Sequence, residues 1–249
     1  MSRKKLITYI VRILLYVLAF GFFIYAAING FFSPIYKEPN TFFVLVREHL
    51  NLVMLSSFLA VVIALPLAVL FTRARFRKYE WIVSNIANVA QTLPSLAILA
   101  LTIGILGIGF VPAVFALFIY SVLPIFRNAV AGFNSIDPNL IDAGKGMGMK
   151  ASQIFWRVEV PNAAYAIIDG LRTAIILNVG TAAFAYYIGG GGLGVWIMTG
   201  IQLVDHAYLI SGAISVTLMA IGFDYLLRGI GYIVTPKSNR QITNSATTT

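Results

Sequence analysis

Residues Asp142–Pro161 read DAGKGMGMKASQIFWRVEVP. Three glycines, two lysines, an arginine, an aspartate and a glutamate fall within these twenty residues. The chain around them is 59% hydrophobic and 11% charged, with a mean hydropathy of +0.86. Soluble domains carry about 25% charged residues. The deficit leaves too little charge for a water-facing surface, so lipid is the expected solvent for most of the chain. The quoted stretch then lies outside the bilayer. Just before it, Asp137-Pro138 is a helix start: aspartate caps free N–H groups and proline suits the first helical position. A short helix through Leu140, Ile141 and Ala143 is weakened by Gly144, Gly146 and Gly148, each disfavoured in a helix interior by about 1 kcal/mol. Three glycines in five residues permit a sharp turn or a close backbone approach. A second short helix is expected over Ser152–Val158, with Ile154, Phe155 and Trp156 exposed or half-buried and Gln153 exposed. Pro161 is expected to stop it, because the residue before proline avoids the α region. The reading is helix, glycine turn, helix.

Working outward, six stretches meet or approach the roughly 20 apolar residues that a membrane-crossing helix needs. They are about 12–32, 50–72, 82–104, 110–131, 164–188 and 207–232. The third is the most polar, with Asn85, Asn88, Gln91 and Thr92 ahead of Pro94, which is expected to kink it. The first is too long for a signal peptide and no small-residue cleavage site follows it, so it reads as a retained span. The fold class is an all-α polytopic membrane protein of about six spans. The transmembrane body is expected over 1–236, with a polar loop at about 132–163 between the fourth and fifth spans, and 237–249 reads as a polar, disordered tail.

The basic residues set the orientation. Of eighteen, fifteen flank one side: Arg3, Lys4, Lys5, Arg12, Arg73, Arg75, Arg77, Lys78, Arg127, Lys145, Lys150, Arg157, Arg228, Lys237 and Arg240. Only Lys37 and Arg47 flank the other, and Arg172 lies within the fifth span. The positive-inside bias puts both termini and the quoted stretch in the cytoplasm. The formal net charge of +9 is explained by that bias and calls for no nucleic acid. The RARFRK cluster needs no specific partner as an orientation signal.

The chemistry of a catalyst is missing. There is no cysteine, hence no disulfide, thiolate site or thiol nucleophile. The nine carboxylates are scattered, and the two histidines, His49 and His206, stand at no metal-ligand spacing. No G-x-x-x-x-G-K-[ST] phosphate loop occurs, so this chain does not bind ATP in that way, and no cofactor is expected here.

The quoted stretch resembles the cytoplasmic loop of ABC-importer permeases, whose pattern is E-A-A, three residues, G, nine residues, I-x-L-P. Here Asp142, Ala143 and Gly144 are followed at that spacing by Gly148 and then by Val158, Glu159, Val160 and Pro161. Aspartate replaces glutamate, glycine the second alanine, and valine both isoleucine and leucine. Across roughly 48–232, QTLPSLAILAL at Gln91–Leu101, GLRTA at Gly170–Ala174 and GGGGLG at Gly189–Gly194 look like permeases of glycine betaine, carnitine, choline and proline uptake systems. The resemblance implies an importer half: two permeases form the pore, two cytoplasmic ATPases drive it, and an extracytoplasmic binding protein, here a separate chain, delivers the solute. The quoted loop would be the element that docks on the ATPase.

Several polar residues carry two readings each. Asp169 and Arg172, three apart on one helix face, form an intrahelical pair or a pathway or gate group. Asp224 and Arg228 read as a second intrahelical pair. Asn85, Asn88, Gln91 and Thr92 bind neighbouring helices or line a polar pathway. Gly191 and Gly192, in GGGGLG, make a tight turn or border an outer gate. Tyr186 and Tyr187 are interfacial aromatics or a cage for a quaternary ammonium. A secondary transporter or channel is the alternative class, but it would call for mid-membrane coupling carboxylates. A membrane enzyme would call for an acid–base or metal constellation.

Overall fold

A computed structural model describes residues 3–73 and 75–234. Every regular element among them is helical. Helices α1 (Arg3–Ile28), α2 (Ser33–Lys37) and α3 (Pro39–Thr72) are followed by α4 (Glu80–Thr92), α5 (Ser95–Leu106) and α6 (Phe110–Asn134). Then come α7 (Pro138–Gly146), α8 (Ala151–Ile154), a π-helical turn (Phe155–Glu159) and α9 (Val160–Thr181). A 3-10 segment (Ala182–Ile188), α10 (Gly194–Leu203) and α11 (His206–Val234) complete the described chain. The proposed tail lies outside the described residues.

The centre is α6, flanked by α3 and α9, with α11 on the far side of α9 and α10 against α11. Small residues make this packing close. Ala60, Ala64 and Ala68 form a fully buried stripe on α3, seated against Ile125, Phe126, Ala129 and Val130 of α6. At Gly170 of α9 a Cβ would stand 2.7 Å from Asn128 Cβ and 2.9 Å from the Pro124 carbonyl. Between apolar helices in lipid, such close approach supplies the van der Waals contact that drives association. The first glycine of the GLRTA segment is thus a packing requirement. The outward faces carry Leu, Ile, Phe and Val in bulk, as a lipid-facing surface demands. Near its end, helix α1 meets the turn that follows it through Phe23 on Phe32 and Tyr25 on Phe31.

Five helical stretches are long and apolar enough to cross a bilayer: Ile7–Ile28, Pro39–Thr72, Phe110–Asn134, Ala151–Ile188 and His206–Val234. The third expected span is not one helix. It breaks at Leu93-Pro94 into α4 and α5, with Pro94 as the residue before α5. Proline lacks the N–H that would continue the ladder and pushes its predecessor out of the α region, so the expected kink is a full break. The two pieces still cross. The ends of α3 and α6 meet around one cavity lined by Thr72, Arg73, Phe133 and Asn134. The start of α6 lies at the opposite end, where Gly109 N–H donates to the Ile188 carbonyl at 2.6 Å. The chain must therefore pass from one side to the other between Thr72 and Phe110, and α4–α5 is what passes. The second span starts at Pro39, not 50. Helix α3 is about 51 Å long at 1.5 Å per residue, because its polar first third finds partners inside the protein.

Candidate functional site

The loop between the fourth and fifth crossings is built from its caps. Asp137 Oδ1 accepts the Asn139 N–H at 2.9 Å and Pro138 occupies the first turn of α7. The helix ends in a paired-bond turn: Met149 N–H donates to the Gly144 carbonyl at 3.1 Å and Gly148 N–H to the Lys145 carbonyl at 2.9 Å. This is the Schellman arrangement, with Gly148 at φ +74° in the left-handed position that favours glycine. Asp142 and Ala143 are exposed, Asp142 pairing with Lys145 at 2.8 Å. Gly144 is buried beneath Ile154: a Cβ there would stand 3.4 Å from Ile154 Cγ1 and 3.5 Å from Met149 Sδ. Those are ordinary van der Waals distances, so the packing leaves room for the family's second alanine, and Ile154 is buried rather than half-exposed. Leu140, Met147 and Trp156 remain exposed on this polar loop. Gln153 is exposed but not idle, since its Oε1 accepts the Lys150 N–H at 2.8 Å.

Pro161 does not stop the second short helix. Residues 151–188 form one helical run, and the helix widens ahead of the proline instead of ending. In the π turn, Val160 N–H donates to the Phe155 carbonyl five residues back. The Asn162 side-chain amide donates to the Val158 carbonyl at 2.7 Å. The wider turn makes room for a proline ring inside a continuous helix, with Val158, Val160 and Pro161 half-buried along it.

Residues not singled out in the sequence join this loop to the membrane body. Arg73, immediately after α3, donates from both guanidinium ends to Glu159, at 3.0 and 2.6 Å. Its guanidinium also lies 5.3 Å from the centre of the Phe155 ring, which stacks on Phe133 of α6 at 6.2 Å. So one member of the RARFRK cluster has a specific partner, against expectation. The signal was a single carboxylate in the apolar run VEVP. A forked, charge-assisted pair is among the stronger hydrogen-bonded contacts a protein makes. Beside it opens a cavity of about 230 Å³ between the ends of α3 and α6 and the start of α7.

Within the membrane body the two expected intrahelical pairs are one network. Arg172 bonds Asp169 at 3.1 Å and also, through Nε, Asp224 of α11, while Arg228 bonds the other oxygen of Asp224 at 3.0 Å. Arg172 thus ties α9 to α11. Asn178 of α9 donates to Ser56 and Ser57 of α3 at 2.9 and 3.2 Å. His49 Nε2 stands 2.9 Å from the Val179 carbonyl; a carbonyl only accepts, so Nε2 carries the proton. His49 Nδ1 and Asn178 Oδ1 are buried without a partner.

At the end opposite the loop, Gly191 and Gly192 have φ of +78° and +83°. Glu48 of α3 reaches into this turn and accepts the Gly192 N–H at 2.9 Å. A Cβ at Gly191 would collide with that carboxylate, and one at Gly192 would stand 3.1 Å from His49 Nδ1. The turn expected of GGGGLG is tight, and it packs against α3. Tyr186 donates to Gln202 Oε1 at 3.3 Å and Tyr187 is exposed. Asn88 and Gln91 lie on α4, their side chains outside the described set. Thr92, the last residue of α4, is exposed, and its hydroxyl donates to the Val89 carbonyl at 2.7 Å. The candidate pathway residues therefore occupy three separate elements: α4, α9 and the glycine turn. Among the described residues no three His, Asp or Glu side chains group to hold a metal ion.

Six crossings around an α3–α6–α9 core, with a capped polar helix–turn–helix between the fourth and fifth, define the permease class of importer. A model of the binding-protein-dependent transport system inner membrane component matches residues 60–240, and the chain belongs to that family. It is 44% identical over 195 residues to the choline transport system permease protein OpuBB of Bacillus subtilis (strain 168), covering 78% of this chain and 89% of that protein. It is 45% identical over 190 residues to the glycine betaine/carnitine/choline transport system permease protein OpuCB of the same organism, covering 76% and 87%. Among solved structures, the inward-facing MetNI methionine ABC transporter matches with a TM-score of 0.70 and 26% identity over 80% of this chain and 99% of that one. The protein is thus a multi-pass membrane transport subunit rather than an enzyme. Its family implies a separate ATPase and, with it, a second permease or a binding protein.

Proposed function

We propose that this permease forms half of the pore of an ATP-driven importer for compatible solutes with a quaternary ammonium or betaine group: glycine betaine, choline or carnitine. The solute class is supported by the names of the relatives that match over most of the chain. The loop side, with both termini, faces the cytoplasm of a bacterial cell, and the glycine turn faces outward. A second permease subunit completes the pore, a separate binding protein delivers solute to the outer face, and ATP is bound only by the partner ATPase. The ATPase docks on the face around the Gly148 turn. The observation that carries docking is the exposure of Leu140, Met147 and Trp156 on a rigidly capped loop outside the lipid. Such a patch suits a protein partner.

Uptake of labelled glycine betaine, choline and carnitine at high osmolarity, in cells with and without the gene, tests the solute class. At least one solute should enter only when the gene is present. Equal uptake of all three in both strains would remove the class.

A further inference from the structure

We propose that α3 is the rod that carries movement of the loop across the membrane, with Arg73 the positioning residue at its loop end and Glu48 the one at its outer end. This rests on the importer reading above. The obvious connection is α9, which continues directly from the loop. Yet α9 is bounded by the two irregular turns of the helical run, π at Phe155–Glu159 and 3-10 at Ala182–Ile188. Non-α stretches of this kind accompany hinges and functional sites. A push on the loop is absorbed there before it reaches the glycine turn. Helix α3 has no such interruption from Pro39 to Thr72, although Pro66 removes one of its hydrogen bonds. Its alanine stripe holds it against α6.

Both ends of α3 are fastened to the segment that carries the loop. At the inner end the contact is the Arg73 fork on Glu159, within the π turn itself, with Phe155 against the guanidinium. The cavity beside it means that this pair and this ring, not continuous packing, join the loop to α3 at that point. At the outer end Glu48 holds the Gly192 N–H and His49 holds the Val179 carbonyl. Gly191 must lack a side chain because the Glu48 carboxylate occupies its place. The glycine turn therefore follows α3 as well as α9. Two sites this far apart are coupled only through an element that both can bias, and α3 touches both.

The chain has no cysteine, so Ile108→Cys supplies a single thiol. Ile108 is exposed, and its side chain adjoins Gly189 at the start of the glycine turn. The permease is reconstituted in nanodiscs with its ATPase and binding protein. The maleimide labelling rate is then compared with and without vanadate-trapped nucleotide. Trapping should change the rate by about tenfold in the parent. Arg73→Gln, Glu159→Gln and Glu48→Ala should each remove that change while the ATPase stays bound. The exchange Arg73→Glu with Glu159→Arg should bring it back, which damage to the fold would not. If Arg73→Gln fails to assemble, Glu159→Gln reads the same contact. A response in these variants equal to the parent's overturns the rod and leaves the importer reading intact. A parent that binds no ATPase counts against the docking reading itself.

Discussion

Gly148 separates a backbone requirement from a packing one. Its φ is +74° and nothing lies within 4 Å of the place a Cβ would take. Within this chain any loss on substitution there is conformational, because there is no neighbour to hit. An L-residue in the left-handed region costs about 1–2 kcal/mol, a β-branched one falling at the upper end, so the intact turn should be populated about tenfold less in Gly148→Val. Membrane insertion should be normal, since no crossing is touched. Solute uptake and ATPase co-purification should both fall by a similar factor. Asparagine tolerates the left-handed region, so Gly148→Asn should retain most of both activities. The neutral control is Ser152→Ala, an exposed position, and not Gln153, whose side chain caps Lys150. Equal loss in the Asn and Val variants would mean that the turn's conformation is not what the partner reads.

At the scale of elements, the order of the apolar runs was legible, while their continuity and the short helices α2 and α10 were not. The polar loop between apolar runs, its Asp137 cap and its glycine turn could all be read, because caps and turns are local and their residues name them. The fifth run could not: Pro161 marks a helix end by local rules, and only the π turn lets the helix pass it. The true start of α3 was hidden because Arg47, Glu48 and His49 look like loop until the glycine turn and Val179 are folded against them. Long-range pairing also escaped the sequence at Asp224. Four-residue spacing pointed to Arg228, while the stronger claim comes from Arg172, 52 residues away on α9. A test follows from the geometry. Asp224→Ala leaves Arg172 with Asp169 alone, and the Asp224 side chain is 22% exposed against 40% for Asp169. The cost should lie between that of surface and buried pairs, about 2 kcal/mol. Asp169→Ala should cost less, because Arg172 keeps Asp224. Thermal unfolding in detergent should rank the two variants in that order, and the reverse ranking would place the weight of the network within α9.

For the whole molecule, the two ends of the core impose one topology. The loop side gathers the ends of α3 and α6 and the π turn, through Arg73, Phe133 and Glu159. The opposite side gathers the glycine turn with Glu48, the start of α6 at Gly109, and the start of α11, where Ser211 donates to the Phe31 carbonyl at 2.8 Å and Tyr208 to Glu38. The proposed topology has the described chain pass six times between these sides, with α4–α5 counting as one broken passage, which would put Arg3 and Val234 on the same side. The orientation proposed above rests on charge. Arg73, Arg75, Arg77, Lys78, Lys145, Lys150 and Arg157 stand on the loop side, against Lys37 and Arg47 on the other. Basic residues in short loops are retained in the cytoplasm, which supports the proposed orientation, with the loop on the side of the ATPase. Single cysteines at Lys78 and Met147 should therefore resist a membrane-impermeant maleimide in intact cells and react after permeabilisation. Cysteines at Tyr36 and Tyr187, both exposed on the opposite side, should react in intact cells. Labelling of Tyr36→Cys and not Tyr187→Cys would mean that the chain fails to return between them. Since α3, α4–α5, α6 and α9 make an even number of passages between those positions, that single result would break the six-passage topology.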